Sequence, residues 1–171
     1  MRRPYALAAL LITAIAVLIV LDALQTGQGP SGPTYEKAPD FTLADIYGEE
    51  FSLSRFRGKV VLLDFFATWC EPCKQEIPEL KRLKSRFGGQ LVIISISVSP
   101  GDTDEVLREF AEQHGMDWLV ARDTAGVADL YDVKALPTLV LVDKSGFIRF
   151  RHEGLTSYET LEREVRKILG S

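Results

Sequence analysis

Two apolar runs constrain this chain more than any other feature in it. VVLLDFF at residues 60–66 and LVIISISV at residues 91–98 are too continuous for strands with one wet face, so each reads as a strand buried on both sides. Between them, residues 70–87 carry Cys73, Ile77, Leu80, Leu83 and Phe87 on one side of a helical wheel turned by about 100° per residue. Strand, helix, strand in that order is a parallel crossover, which commits the chain to α/β layers. Upstream, FTLADIYGEEFSLS alternates on both sides of Tyr47-Gly48 as a β-hairpin does. Downstream, Asp102 with Glu105 opens a helix reaching about His114, and residues 118–121 form a short strand. Residues 127–131 make a helical turn, and residues 138–142 form a strand that turns at Asp143-Lys144-Ser145-Gly146 into residues 147–152. Thr156 with Glu159 caps a last helix over residues 157–169. The expected product is a mixed sheet between helices.

Residues 5–21, YALAALLITAIAVLIVL, carry no charge and follow Arg2 and Arg3. Their length sits at the lower edge of the roughly 17–25 residues that cross a bilayer as a helix. A cleaved signal peptide and an uncleaved anchor both fit. The exit VLDALQTG lacks an A-x-A site, which favours the anchor over residues 1–24. The paired arginines then hold the N-terminus in the cytoplasm and send the rest of the chain across the cytoplasmic membrane to the extracytoplasmic side. Residues 25–35, with three Gly, two Pro and no charge, read as a linker, and residues 36–171 as one folded domain. A formal charge of −4, from 24 acidic and 20 basic side chains, leaves no basic footprint for nucleic acid.

Cys70 and Cys73 are the only cysteines. They stand where a buried strand gives way to a helix, and a helix start offers unpaired N–H groups and partial positive charge that favour a thiolate at Cys70. Pro72 is tolerated there because its absent N–H would have had no partner. The i, i+3 spacing puts both sulfurs on one side of the helix, within reach of a disulfide that opens and closes. Cys70 is therefore expected as the exposed nucleophile and Cys73 as the shielded resolving thiol. A structural disulfide over so short a loop would stabilise little. Zinc would need further ligands, and the only histidines, His114 and His152, are remote in sequence and read as surface residues. No metal and no cofactor is called for.

Two acids stand out. Glu76 falls within the apolar stripe of the helix, one turn after Cys73, whereas Pro78 falls outside it and is expected to kink the helix. Asp64 lies inside VVLLDFF, where a charge is costly unless it has a purpose, water, or a partner such as Lys59. If both face Cys73 they form a coupled pair able to take its proton.

The stretch Phe66-Ala67-Thr68-Trp69-Cys70-Glu71-Pro72-Cys73-Lys74, with Ala38-Pro39-Asp40-Phe41 before it and Leu136-Pro137-Thr138 after it, resembles the TlpA/ResA-like branch of the thioredoxin superfamily over about residues 36–169. The resemblance implies a thioredoxin fold with an added N-terminal hairpin. It also implies a membrane-anchored, extracytoplasmic protein that reduces protein disulfides, often those of apocytochromes c awaiting haem, and draws on a thiol-reducing electron donor in the membrane. Trp69, Glu71, Pro72, Leu136 and Pro137 would then meet the substrate. On its own Pro137 reads as the trans start of an edge strand; the resemblance replaces that with a cis bond beside the disulfide. It also places an acid at Glu76. Asp64 departs from the branch, which commonly has asparagine there, and is similar instead to the buried aspartate of cytoplasmic thioredoxins. Two other functions remain in competition. A peroxiredoxin-like peroxidase is suggested by Ala-Pro-Asp-Phe, but its Pro-x-x-x-Thr-x-x-Cys pocket would need proline where Leu63 stands. A copper-handling protein would suit paired thiolates, yet no histidine adjoins them.

Overall fold

The computed structural model describes residues 35–170, together with Ile15 and Val17. The expected anchor and all of the expected linker before Tyr35 otherwise lie outside the described residues. Among the described residues no helix is long and apolar enough to cross a membrane.

The crossover forms as expected. Strands β3 (Val60–Phe66) and β4 (Leu91–Ser97) run parallel with Val60 beside Leu91 and Phe66 beside Ser97. Helix α1 (Glu71–Phe87) connects them. The other long edge of β3 pairs antiparallel with β6 (Thr138–Val142), so β3 is central and all seven of its residues are buried. With β5 (Leu119–Arg122) and β7 (Ile148–Glu153) the sheet order is β5-β4-β3-β6-β7, mixed in direction.

Alternation along β3 sorts its side chains between two layers. Val60 and Leu62 pack with Leu80, Leu83 and Phe87 of α1 and with Leu161, Val165 and Ile168 of α4 (Tyr158–Leu169). Val61, Leu63 and Phe65 face the opposite way, onto Phe41, Leu43, Phe51 and Tyr131. Truncating Leu80 or Leu83 to alanine, each essentially sealed from solvent, should cost about 2–5 kcal/mol.

The hairpin is β1 (Thr42–Ala44) against β2 (Glu50–Ser52). It lies along the outer edge of the sheet, where the Ile46 N–H donates to the Val120 carbonyl at 3.0 Å. That contact covers part of an edge strand that would otherwise stand open. The Ala-Pro-Asp-Phe segment fastens the hairpin's entry. The Tyr131 hydroxyl donates to the Pro39 carbonyl at 2.7 Å, and Asp40 accepts from the Phe41 and Ser54 N–H groups.

Both expected helix caps are displaced by one residue. Helix α2 (Asp104–His114) is capped by Thr103, whose hydroxyl accepts from the Val106 N–H, not by Asp102. Helix α4 is capped by Ser157, which accepts from the Thr160 N–H, not by Thr156. In each case the residue read as a cap is buried and bonded elsewhere. The helical turn α3 spans Val127–Leu130. Helix α1 runs unbroken through Pro78, which sits on its exposed side.

Candidate active site

The parity and register of the central strands assemble the site. Asp64 shares the parity of Val60 and Leu62, so it points toward α1 and away from the hairpin layer. Pairing of β3 with β4 sets Ser95 beside it. Asp64 is 4% exposed, and its carboxylate accepts a 2.7 Å hydrogen bond from the Ser95 hydroxyl; that contact takes the place of the pairing with Lys59, which is exposed. From α1, Glu76 is 1% exposed and accepts from the Thr156 N–H at 2.9 Å. Its other carboxylate oxygen and the Thr156 hydroxyl have no partner among the described residues. Burial pushes Asp64 up to about 6 against the Ser95 hydrogen bond. Burial, helped by the charge of Asp64, pushes Glu76 up to about 8. The charge of Asp64 reaches Glu76, so the two acids titrate as a coupled pair.

Cys70 is the N-cap of α1. It forms a disulfide with Cys73 across a Cα–Cα distance of 5.3 Å, and its sulfur accepts from the Cys73 N–H at 3.3 Å. The expectation of an exposed Cys70 and a shielded Cys73 is not met in this disulfide form. Both are 4% exposed, because the bridge draws them together into a cluster with Phe66, Ala67 and Ile77. The helix start nonetheless distinguishes them, since its N–H points at the sulfur of Cys70.

The loop before Cys70 is clamped by a residue whose role the sequence did not disclose. Asp102, buried, accepts from the Thr68 N–H at 3.0 Å, the Thr68 hydroxyl at 2.7 Å and the Ser97 hydroxyl at 2.6 Å. Trp69 is 68% exposed, and its indole N–H donates to the Ser99 hydroxyl at 3.2 Å. Glu71 and Pro72 are exposed at the helix start, with Glu71 near Lys74. The Leu136-Pro137 peptide is cis. Leu136 is half-buried against the cluster holding both cysteines, and the Pro137 carbonyl accepts from the Gly154 N–H at 2.7 Å. The strand ends thus bring Cys70, Cys73, Glu76, Asp64, Trp69 and the Leu136-Pro137 turn to one end of the sheet. Ser95, Asp102 and Thr156 are additions from the structure. The interruption of an apolar run by Ser95 and Ser97 was the one available signal.

Among the described residues no three His, Cys, Asp or Glu side chains converge as a metal site. The ring of His114 lies against Phe110 and that of His152 against Phe150. Leu63, where a peroxiredoxin pocket would need proline, is wholly buried between Ile94 and Val140.

A model of the AhpC/TSA family matches residues 34–151. The chain belongs to the AhpC/TSA family. Its relatives include proteins named as thiol-disulfide oxidoreductases and as thioredoxin-like. It is 37% identical over 132 residues to the thiol-disulfide oxidoreductase ResA of Geobacillus kaustophilus, covering 77% of this chain and 75% of that protein. It is 32% identical over 131 residues to the thioredoxin-like protein YneN of Bacillus subtilis, covering 76% and 77%. The crystal structure of a putative thiol:disulfide interchange protein DsbE from Chlorobium tepidum superposes with a TM-score of 0.73 at 30% identity, over 82% of this chain and all of that one. This AhpC/TSA member is accordingly a thiol-disulfide oxidoreductase with a thioredoxin-like fold, a mixed central sheet flanked by helices.

Proposed function

We propose that the chain works as a reductant of protein disulfides on the extracytoplasmic side of the cytoplasmic membrane, held there by residues 1–24 and the linker at 25–35. Apocytochromes c are the substrate class this reading takes from the sequence resemblance, and a thiol-reducing membrane protein is the electron donor. In the reduced form the Cys70 thiolate attacks one sulfur of a substrate disulfide, making a mixed disulfide and releasing the other sulfur as a thiolate that takes up a proton. Cys73 then gives its proton to the Asp64–Glu76 pair and attacks the Cys70 sulfur. The second substrate thiolate leaves, two electrons have passed to the substrate, and the Cys70–Cys73 disulfide remains. Trp69, Glu71, Pro72 and Leu136 form the contact surface, and the turn before Pro137 offers its backbone to an extended substrate segment.

The buried acids carry the direction of electron flow. A strong oxidant is one whose dithiol form is stabilised, chiefly as a thiolate. Here Glu76, one helical turn from Cys73 and under the charge of Asp64 from β3, opposes a second negative charge and withholds that stabilisation. Redox equilibration of the full chain is the test. The midpoint should be reached in dithiothreitol buffers, with the protein fully oxidised in glutathione buffers; a midpoint within the glutathione range would overturn the reductant reading. Glu76→Gln should shift that midpoint toward the oxidising side.

A further inference from the structure

The partner of Asp64 has a partner of its own. Ser95 is completely buried, and its hydroxyl oxygen receives the Trp118 indole N–H at 2.9 Å while standing 2.7 Å from the Asp64 carboxylate. An indole N–H can only donate. Trp118 therefore occupies a lone pair of the Ser95 oxygen and leaves the serine proton to be given away, in the direction of Asp64. The chain Trp118 to Ser95 to Asp64 has one polarity, with every hydrogen pointing at the carboxylate. We propose that Ser95 and Trp118 are positioning residues that hold Asp64 as the acceptor for the Cys73 proton.

This rests on the reading of Asp64 given above and adds what sets its readiness. A hydroxyl aimed at a carboxylate favours the ionised form, the only form able to accept a proton, whereas burial works against it. Donation from the indole polarises the serine and strengthens the bond it gives. Among the described residues only burial and the Ser95 hydroxyl act on Asp64, and no cation does the same work. Glu76 on α1 is an acid, the cysteines on α1 are neutral or anionic, β6 sets Leu139 beside Asp64, and β4 supplies only Ser95. The uncharged relay from Trp118 is the device left to keep Asp64 ionised next to Glu76. In the step it serves, the Cys73 sulfur keeps the S–H electron pair, the proton goes to Asp64, and the thiolate so formed attacks Cys70.

The test uses the full-length chain with Ser95→Ala, Trp118→Phe, and each of these combined with Asp64→Asn. The Asp64 carboxyl is followed by carbon NMR against pH in the oxidised form. Release of the second substrate thiol from a model peptide disulfide is followed against pH in single turnovers. Ser95→Ala should raise the Asp64 midpoint by about one pH unit or more, the effect expected for loss of one hydrogen bond to a charged group. Trp118→Phe should raise it by less, and the acid limb of the exchange profile should move with it in both variants. In the Asp64→Asn background neither substitution should move the profile. A merely structural role would slow exchange or lower stability without moving either midpoint. An unmoved carboxyl midpoint in Ser95→Ala overturns the inference alone. A moved carboxyl midpoint with an unmoved exchange profile overturns Asp64 as acceptor, and with it the reading on which the inference rests.

Discussion

Cys70 and Cys73 are exposed to the same small extent, so charge, not access, separates their roles. Cys70 caps α1 and its sulfur receives a helix N–H, whereas Cys73 lies one turn in, on the face shared with Glu76. The first environment stabilises a thiolate and the second opposes one. Cys73→Ser should therefore trap a mixed disulfide with a substrate protein, visible as a covalent adduct on non-reducing gels. Cys70→Ser should trap none, and equal trapping by both would reverse or abolish the assignment. Replacing Glu76 by Gln keeps an oxygen for the Thr156 N–H while deleting the charge. The cysteines should then become more acidic by thiolate absorbance, and exchange should slow where loss of the Cys73 proton limits it. Asp64 can still accept that proton in this variant, so Asp64→Asn with Glu76→Gln should slow exchange more than either alone. If all three variants match the parent, neither acid takes part.

Among the elements, the loop that joins β4 to α2 does more than connect them. Asp102 meets three donors from Thr68 and Ser97, and removing its carboxylate strands all three in a nearly dry pocket. Asp102→Ala should cost about 3 kcal/mol or more in denaturant unfolding, while Thr103→Ala should cost about 1 kcal/mol as a lost cap. If Asp102 were the cap, the smaller loss would fall on Asp102 and Thr103 would be neutral. The contrast shows what a sequence discloses. Residues 60–66, 70–87 and 91–98 announce their elements because hydrophobic period is local, and Glu76 stands out in the apolar stripe because its wheel position is local too. That Asp64 stands beside Ser95, or that Thr156 serves Glu76 from 80 positions away, depends on register and on long-range packing, which local period does not contain. The same gap produced both displaced caps. Asp102 and Thr156 have the chemistry of caps, and only the tertiary structure shows that the Asp102 carboxylate is taken by Thr68 and Ser97 and that Thr156 is buried with its backbone N–H given to Glu76.

For the whole domain, carboxyl groups of two kinds set opposite limits on stability. At the surface, Asp143 overcomes its partial burial through the Phe147 N–H and Arg149, and Asp40 overcomes its own through Ser54, so both are held below the ordinary carboxylate range. Their contribution is present above about pH 4 and is lost as pH falls through their folded values. Asp64 and Glu76 behave in the reverse way. Raised to about 6 and about 8, they bind protons in the folded chain that the unfolded chain has already released, so their contribution is complete below about pH 4 and drains away as pH rises through those values. With the disulfide intact, so that no thiol titrates, unfolding free energy should peak between about pH 4 and pH 6. It should then fall by on the order of 3–5 kcal/mol by pH 9. Glu76→Gln should remove most of that alkaline fall, because it deletes the more strongly raised group and relieves Asp64 of its neighbour's charge. Urea unfolding of the oxidised chain at pH 5, 7 and 9 measures this directly. A parent protein as stable at pH 9 as at pH 5 would mean that the two acids are not forced to ionise in the dry interior, and the opposition to thiolate formation assigned to them would fall with it.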